Sequence, residues 1–375
     1  MKYYIIAGEA SGDLHGSNLI RGLKAADPRP DFRVWGGGLM EAAGGQLRKH
    51  YRDLAFMGFW EVAKNIRTIL GNIKFCKQDI LDYQPDALIL VDYPGFNLRI
   101  AKWAKQQRLR VFYYISPQLW AWHSSRVHGI KASVDRMFVI LPFEEAFYQR
   151  YGYEVDFVGH PLLDVVDSVP AAENFRQDNG LDNRPIVALL PGSRRQEIER
   201  MLPPMLEITP SFPGRQFVIA GAPSQEEAFY EDIIERSAAG ASQVRLVSNQ
   251  TYALLKQAEA ALVTSGTATL ETALFGVPQV VCYKGSRLSY LIARRLVNVP
   301  FISLANLIAE KEVVKELIQE AFRPDRLELE LAKLLEPSTR QQILEGYALI
   351  RGRLGEAGAS RRAAELIYQY LSEKA

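Results

Sequence analysis

Ala87-Leu88-Ile89-Leu90-Val91, running into Asp92-Tyr93-Pro94-Gly95, and Ile186-Val187-Ala188-Leu189-Leu190, running into Pro191-Gly192-Ser193-Arg194, decide the fold. Each is a short, continuously apolar run closed by a turn signal. A strand wetted on one face alternates apolar with polar residues. An unbroken run signals burial on both faces, as in a parallel sheet covered by helices. Comparable runs begin at Tyr3, Phe32, Val111, Met137 and Val155 in the first half, and at Phe217, Val244, Ala261, Gln279 and Phe301 in the second. Longer stretches of helical period separate them. Strand–helix alternation through both halves predicts an α/β chain of two doubly wound, Rossmann-like parallel-sheet domains. Pro161, Pro170, Asn179-Gly180 and Asp182-Asn183 cluster between the two series without an apolar period, which places the boundary within residues 161–184.

A chain of 375 residues fits two domains at about 150 residues each. With 48% hydrophobic and 23% charged residues, the composition rules out a disordered or collagen-like chain. Lys and Arg total 45 against 43 Asp and Glu, and the resulting +2 supplies no field that argues for nucleic acid. Cys76 and Cys282 stand alone, far apart, which argues against a disulfide or a zinc site. The apolar run Tyr3–Ala7 is shorter than the roughly 7–15 residues of a signal-peptide core. No stretch reaches the roughly 18–20 apolar residues of a membrane span. These features predict a soluble, reduced, cytoplasmic protein of enzyme size. Neither Gly8-Glu9-Ala10-Ser11-Gly12 nor Gly36-Gly37-Gly38 has the dinucleotide-binding spacing, and there is no Walker A sequence, so NAD-dependent and P-loop chemistries fit poorly.

Ligands of open parallel sheets bind beyond the carboxyl ends of the strands. Gly8 through Gly16 follows the first strand, where Glu9, Ser11 and Asp13 offer acceptors and a hydroxyl; Asp13 serves equally as a cap for a helix starting near His15. Asp92 ends a buried strand, where a carboxylate serves as a general base or caps the turn enforced by Pro94-Gly95. Trp120 and Trp122, two residues apart, cannot share a helical face and suggest an irregular segment lining a cleft. Lone His15 and His160 read as structural. Gly192-Ser193-Arg194-Arg195 before a helical run has the makings of an anion site, with backbone N–H groups, a helix dipole and a guanidinium. Thr264-Ser265-Gly266-Thr267 repeats the device, and Glu271 can accept from ribose hydroxyls. No Asp-x-Asp occurs, so dipoles and arginine, rather than a metal, are expected to stabilise a departing diphosphate.

Between Leu54 and Lys77, Phe59, Val62, Ala63, Ile66, Ile69, Leu70 and Ile73 form one helical stripe that ordinary burial explains. Phe56, Met57 and Trp60 lie outside it, beside Lys64, Arg67, Lys74 and Lys77. Surplus aromatic and basic residues of this kind mark an interfacial helix.

Taken in order along nearly the whole chain, these motifs resemble the lipid-A-disaccharide synthase family. The match is carried by Gly8 through Asp13, Met57 through Val62, Asp92 through Asn97, Ser116 through Trp122, Leu141 through Glu144, Val158 through Pro161, Leu190 through Arg194 and Ser265 through Glu271. The resemblance implies the GT-B fold, two Rossmann-like domains facing a cleft. Residues 1–165, with a C-terminal helix at 356–375, would form the acceptor and membrane-side domain, and residues 166–355 the UDP-sugar domain. It implies transfer of 2,3-diacylglucosamine from its UDP form to 2,3-diacylglucosamine 1-phosphate (lipid X), giving a β-1,6 disaccharide 1-phosphate and UDP in lipid A synthesis of Gram-negative bacteria. Asp92 aligns with the family's base. Ser193, Arg194, Ser265, Gly266, Thr267, Glu271 and Asn306 fall on the nucleotide side, and Glu9, Ser11, Asp13, Trp120 and Trp122 on the acceptor side. The family's Ser-Leu-Pro-Asn appears as Ser303-Leu304-Ala305-Asn306, and loss of the proline is expected to loosen that loop. No cofactor, metal or nucleic acid is implied. Lipid substrates imply peripheral work on the cytoplasmic face of the inner membrane, with Phe56, Met57, Trp60, Lys64 and Arg67 as contacts.

Two rivals stand beside this reading. A UDP-sugar 2-epimerase shares the nucleotide site but needs no lipid-facing surface. A non-catalytic lipid-binding protein needs the amphipathic segment but neither Asp92 nor the phosphate loops.

Overall fold

The computed structural model describes residues 1–54, 66–122, 124–170, 172–237, 244–286 and 299–373. Two parallel sheets organise it. The first contains β1 (Lys2–Ala7), β2 (Asp31–Gly36), β3 (Gln46–His50), β4 (Ala87–Val91), β5 (Val111–Tyr114), β6 (Arg136–Val139) and β7 (Asp156–Phe157), in the order β3-β2-β1-β4-β5-β6-β7. The second contains β8 (Ile186–Leu190), β9 (Gln216–Gly221), β10 (Val244–Ser248), β11 (Ala258–Thr264), β12 (Gln279–Tyr283) and β13 (Lys315–Ile318), in the order β10-β9-β8-β11-β12-β13. The chain divides into one unit of Met1–Pro161 with Leu354–Ala375, and a second of Leu162–Arg353.

The unbroken apolar strands are covered on both faces. In the first unit Tyr3, Ile5, Ile89 and Val91 pack with Leu19 and Leu23 of the Ala10–Ala26 helix and with Ala363 and Ile367 of the Ala359–Ser372 helix. Tyr4, Ile6, Leu88 and Leu90 point to the opposite layer, against Cys76 and Ile80 of the Ile66–Tyr83 helix and Ile100 and Ala104 of the Pro94–Gln106 helix. Alternate residues of a strand face opposite ways, so a strand buried on both faces needs apolar residues at every position.

Four expectations are corrected. Gln46–His50 is a strand although nothing in its polar sequence announces one; it lies at the sheet edge, where one face and one ladder side meet solvent. Phe301 does not start a strand, because the sixth strand of the second sheet is Lys315–Ile318 and Phe301-Ile302 leads instead into the cap of a helix. Trp120 and Trp122 lie in a one-turn helix, Leu119–Trp122, rather than an irregular segment. Leu70 leaves the apolar stripe: it is 57% exposed, and the face that meets the sheet carries Ile73, Cys76 and Ile80. Among the described residues no helix is long and apolar enough to cross a membrane.

Candidate active site

Each sheet has one place where the strand order reverses direction. In the first it lies between β1 and β4, which pair with Ala7 opposite Val91. The residues that follow, Gly8-Glu9 and Asp92-Tyr93, therefore emerge side by side at the crevice where doubly wound sheets bind ligands. Asp92 and Tyr93 both adopt left-handed backbone conformations, with φ of 45° and 49°. For non-glycine residues this costs of order 1–3 kcal/mol each and persists only where surroundings enforce it. Here the Asp92 N–H donates to the Tyr114 carbonyl at 3.0 Å. The Asp92 carbonyl accepts from the Tyr113 hydroxyl at 2.6 Å and from Asn97 Nδ2 at 2.8 Å. The Tyr93 hydroxyl donates to the Leu54 carbonyl at 3.1 Å. Gly8 makes room for that ring: a Cβ there would stand 2.3 Å from it.

This clamp leaves the Asp92 side chain half-buried beside Glu9. Burial, and then the Glu9 charge, push the Asp92 carboxyl up to about 6. A carboxylate with that value is mostly ionised at neutral pH yet basic enough to take a proton in a transition state. Asn97 and Tyr113 are residues whose roles sequence reasoning missed. Asn97 closes a quoted motif, but only the fold brings its amide beneath the Asp92 carbonyl.

The residues expected on the acceptor side differ in kind. Glu9 and Ser11 are exposed. Asp13 is 4% exposed, and its carboxylate accepts from the N–H groups of Gly37, Leu39 and Met40 at 2.8, 3.1 and 3.0 Å. It neither caps a helix starting near His15 nor presents a free oxygen; it fixes the Gly36-Gly37-Gly38 turn that opens the Gly38–Ala42 helix. Trp120 is half-buried with its ring edge-on to Phe143 at 4.9 Å, and the Trp122 side chain lies outside the described set. Beneath this segment Glu144 is buried, accepts from the Ile140 and Leu141 N–H groups, and is pushed by burial up to about 7. Burial holds His15 down at about 4 and, with His15 alongside, His160 at about 3, so both imidazoles are neutral at physiological pH.

In the second sheet the order reverses between β8 and β11, which pair with Leu190 opposite Val263. A cavity of 430 Å³ opens there, and Gly192, Ser193, Arg194, Ser265, Gly266, Thr267 and Glu271 all line it. Two helices, Arg195–Glu207 and Thr267–Leu274, begin at its edge, bringing N-terminal N–H groups and the positive ends of their dipoles. Gly192 has φ of +111°, and a Cβ there would come within 2.9 Å of Glu197 Oε2. The Arg194 side chain is 72% exposed, and its guanidinium reaches Glu197 at 3.3 Å. An exposed pair of this kind is worth little on its own, so the guanidinium is free to turn to a better anion. Ser265 donates its hydroxyl to the Ile302 carbonyl at 3.0 Å and so braces its loop. Glu271 accepts from the Tyr252 hydroxyl at 3.1 Å, and burial raises its carboxyl above the usual range.

Asn306 does not join this cavity. It is fully buried, and its Nδ2 donates to the Val314 carbonyl and to Glu316 Oε1, both at 2.9 Å. Its Oδ1 accepts from the Val313 and Val314 N–H groups at 2.8 and 3.0 Å. Every polar position of the amide is occupied, so Asn306 holds backbone and has none left for a nucleotide. Nor does Ala305 loosen the segment. Ser303 Oγ caps the Leu304–Ala309 helix at the Asn306 N–H, while Glu316 gathers the Ile302 and Ser303 N–H groups at 3.0 Å each.

Of the expected membrane contacts, Phe56, Met57, Trp60 and Lys64 lie outside the described residues. Arg67 is exposed at the start of the Ile66–Tyr83 helix. Leu70 and Phe75, 57% and 43% exposed, follow it with exposed Lys74 between them.

A family model described as lipid-A-disaccharide synthetase matches residues 3–367. Lipid-A-disaccharide synthase from Syntrophus aciditrophicus is 44% identical over 366 residues, covering 96% of this chain and 95% of that protein. The synthase from Geobacter metallireducens is 40% identical over 376 residues, covering 99% and 97%. Among solved structures, the UDP-GlcNAc 2-epimerase from Neisseria meningitidis superposes with a TM-score of 0.64 at 13% identity, covering 100% of both chains. The glycotransferase of kitacinnamycin gives 0.66 at 14% identity, covering 99% of each. At such identities the structural matches show the shared two-sheet GT-B architecture, while the sequence matches over nearly full length decide the family. The chain therefore belongs to the lipid-A-disaccharide synthase family, glycosyltransferases of lipid A biosynthesis.

Proposed function

We propose that this glycosyltransferase moves 2,3-diacylglucosamine from UDP-2,3-diacylglucosamine to the 6-hydroxyl of 2,3-diacylglucosamine 1-phosphate, forming the β-1,6 disaccharide 1-phosphate and UDP. The observation that carries the reading is the Asp92 carboxyl, carried on backbone that is clamped at the carboxyl end of β4, and pushed by burial and Glu9 up to about 6. An α-linked donor giving a β product requires one in-line displacement with inversion, in which one carboxylate deprotonates the nucleophile. The acceptor oxygen bonds to the donor's anomeric carbon as its proton passes to Asp92. The bond from that carbon to the β-phosphate oxygen breaks, and its electron pair leaves on UDP.

Negative charge then grows on the diphosphate. Arg194 and the N–H groups at the starts of the Arg195–Glu207 and Thr267–Leu274 helices supply a matching field, with Ser193, Ser265, Gly266 and Thr267 around it and Glu271 for the ribose. Glu9, Ser11, Trp120 and Trp122 serve the acceptor side, and Asp13 serves it by holding a turn. Acyl chains are costly to expose, at about 0.8 kcal/mol per CH₂. The enzyme accordingly works on the cytoplasmic face of the inner membrane, and exposed Leu70 and Phe75 beside Arg67 and Lys74 support a peripheral contact there. Asp92→Ala should abolish disaccharide formation while UDP binding persists, measured by mass spectrometry and calorimetry. Unchanged turnover would remove Asp92 as the base.

A further inference from the structure

Tyr252 stands in the first turn of the Thr251–Gln257 helix, one residue beyond Thr251, which lines the 430 Å³ cavity. Tyr252 itself does not line it. Its ring packs on Phe275, with centroids 5.2 Å apart, just past the helix that carries Glu271. From that anchored position its hydroxyl donates to Glu271 Oε1 at 3.1 Å. Among the described residues no other hydrogen bond reaches this carboxylate, and Glu271 lines the cavity. One oxygen is thus engaged within the protein, and the second is left for a ligand.

We propose that Tyr252 determines the preference for a ribonucleotide over a deoxyribonucleotide by locking one Glu271 oxygen, so that the other is aimed at a ribose hydroxyl. A terminal carboxylate torsion is broad when unrestrained, and a hydroxyl donor on one oxygen narrows it. A buried acceptor fixed in place rejects a sugar lacking the matching donor, because its oxygen would then stay unpaired. A carboxylate free to swing accepts water or another geometry instead and loses the distinction. This inference rests on the reading of the cavity as the UDP site with Glu271 at the ribose. Tyr252 is a positioning residue, acting through Glu271.

The test is calorimetric titration of the full chain, its Tyr252→Phe variant and its Glu271→Ala variant with UDP, 2′-deoxy-UDP and 3′-deoxy-UDP. The unaltered protein should bind UDP roughly tenfold more tightly than the weaker deoxy analogue. Tyr252→Phe keeps the ring on Phe275, and it should lose most of that ratio while binding the deoxy analogue about as well as the unaltered chain. Glu271→Ala should bring the ratio close to unity. A Tyr252→Phe protein that keeps the full ratio, or loses affinity equally for all three nucleotides, overturns the role of Tyr252 alone. An unaltered chain that does not discriminate, or a Glu271→Ala variant that still does, overturns the ribose reading of the cavity and the Tyr252 role with it.

Discussion

Replacing Glu9 by Gln removes a negative charge from beside Asp92 and breaks no capping hydrogen bond of the fold. Glu9 is exposed, and as the residue preceding the Ala10–Ala26 helix its side chain makes no capping hydrogen bond. Its carbonyl, which the substitution keeps, accepts the Asp13 N–H at 2.9 Å. Burial is the larger cause of the Asp92 shift and Glu9 the next, together lifting the carboxyl to about 6. The variant's value should therefore fall toward, without reaching, the ordinary value of about 4. The sign follows from the role: a general base works ionised, so kcat/KM rises with pH through this value and levels above it. In the unaltered enzyme about one-tenth of the base is ionised one pH unit below its value, and the variant should retain a several-fold larger share of its plateau there. Glu9 acts across solvent, so high salt, which cuts the screening length to about 3 Å at 1 M, should shift the unaltered enzyme's acidic limb the same way and leave the variant's nearly in place. The assay is a kcat/KM profile from about pH 4.5 to about 8.5, following disaccharide 1-phosphate by mass spectrometry. Coincident acidic limbs in the two proteins would refute the coupling of Glu9 to a catalytic Asp92.

Arg194→Ala should weaken UDP binding roughly tenfold to a hundredfold by removing a charge-assisted contact to phosphate, and Arg194→Lys should restore only part of it; calorimetry checks both. Asn306→Ala should lower unfolding stability by about 2 kcal/mol, because it removes the side-chain partner of the Val313 and Val314 N–H groups and the Val314 carbonyl, and urea denaturation reads the loss. Serine at Leu70 and Phe75 should reduce co-sedimentation with anionic vesicles and leave UDP affinity unchanged; equal co-sedimentation would count against the membrane contact.

Most of the fold was legible because the central strands are buried on both faces and so carry no polar residue to break the run, as in Ala87–Val91 and Ile186–Leu190. Gln46–His50 escaped notice because an edge strand needs no such pattern. The loops lining the second unit's cavity were legible for a related reason: Gly192-Ser193-Arg194 and Ser265-Gly266-Thr267 directly follow buried strands, and position after a strand is position at the crevice. What sequence could not reveal was where a polar side chain spends its hydrogen bonds. Asn306 looked like a ligand for a nucleotide, yet its amide closes on Val313, Val314 and Glu316, pairings that only tertiary structure creates. Asp13 likewise spends its carboxylate on a turn some two dozen residues away. Asn97, Tyr113 and Tyr252 were overlooked for the converse reason, since each acts through a neighbour rather than at the crevice itself.

The most direct test supplies the protein with UDP-2,3-diacylglucosamine and 2,3-diacylglucosamine 1-phosphate in mixed micelles, with product mass and anomeric configuration read by mass spectrometry and NMR. The account predicts a β-1,6-linked disaccharide 1-phosphate, with one UDP released for each disaccharide formed. An α-linked product, no disaccharide at all, or conversion of UDP-N-acetylglucosamine to its C2 epimer without an acceptor would contradict it.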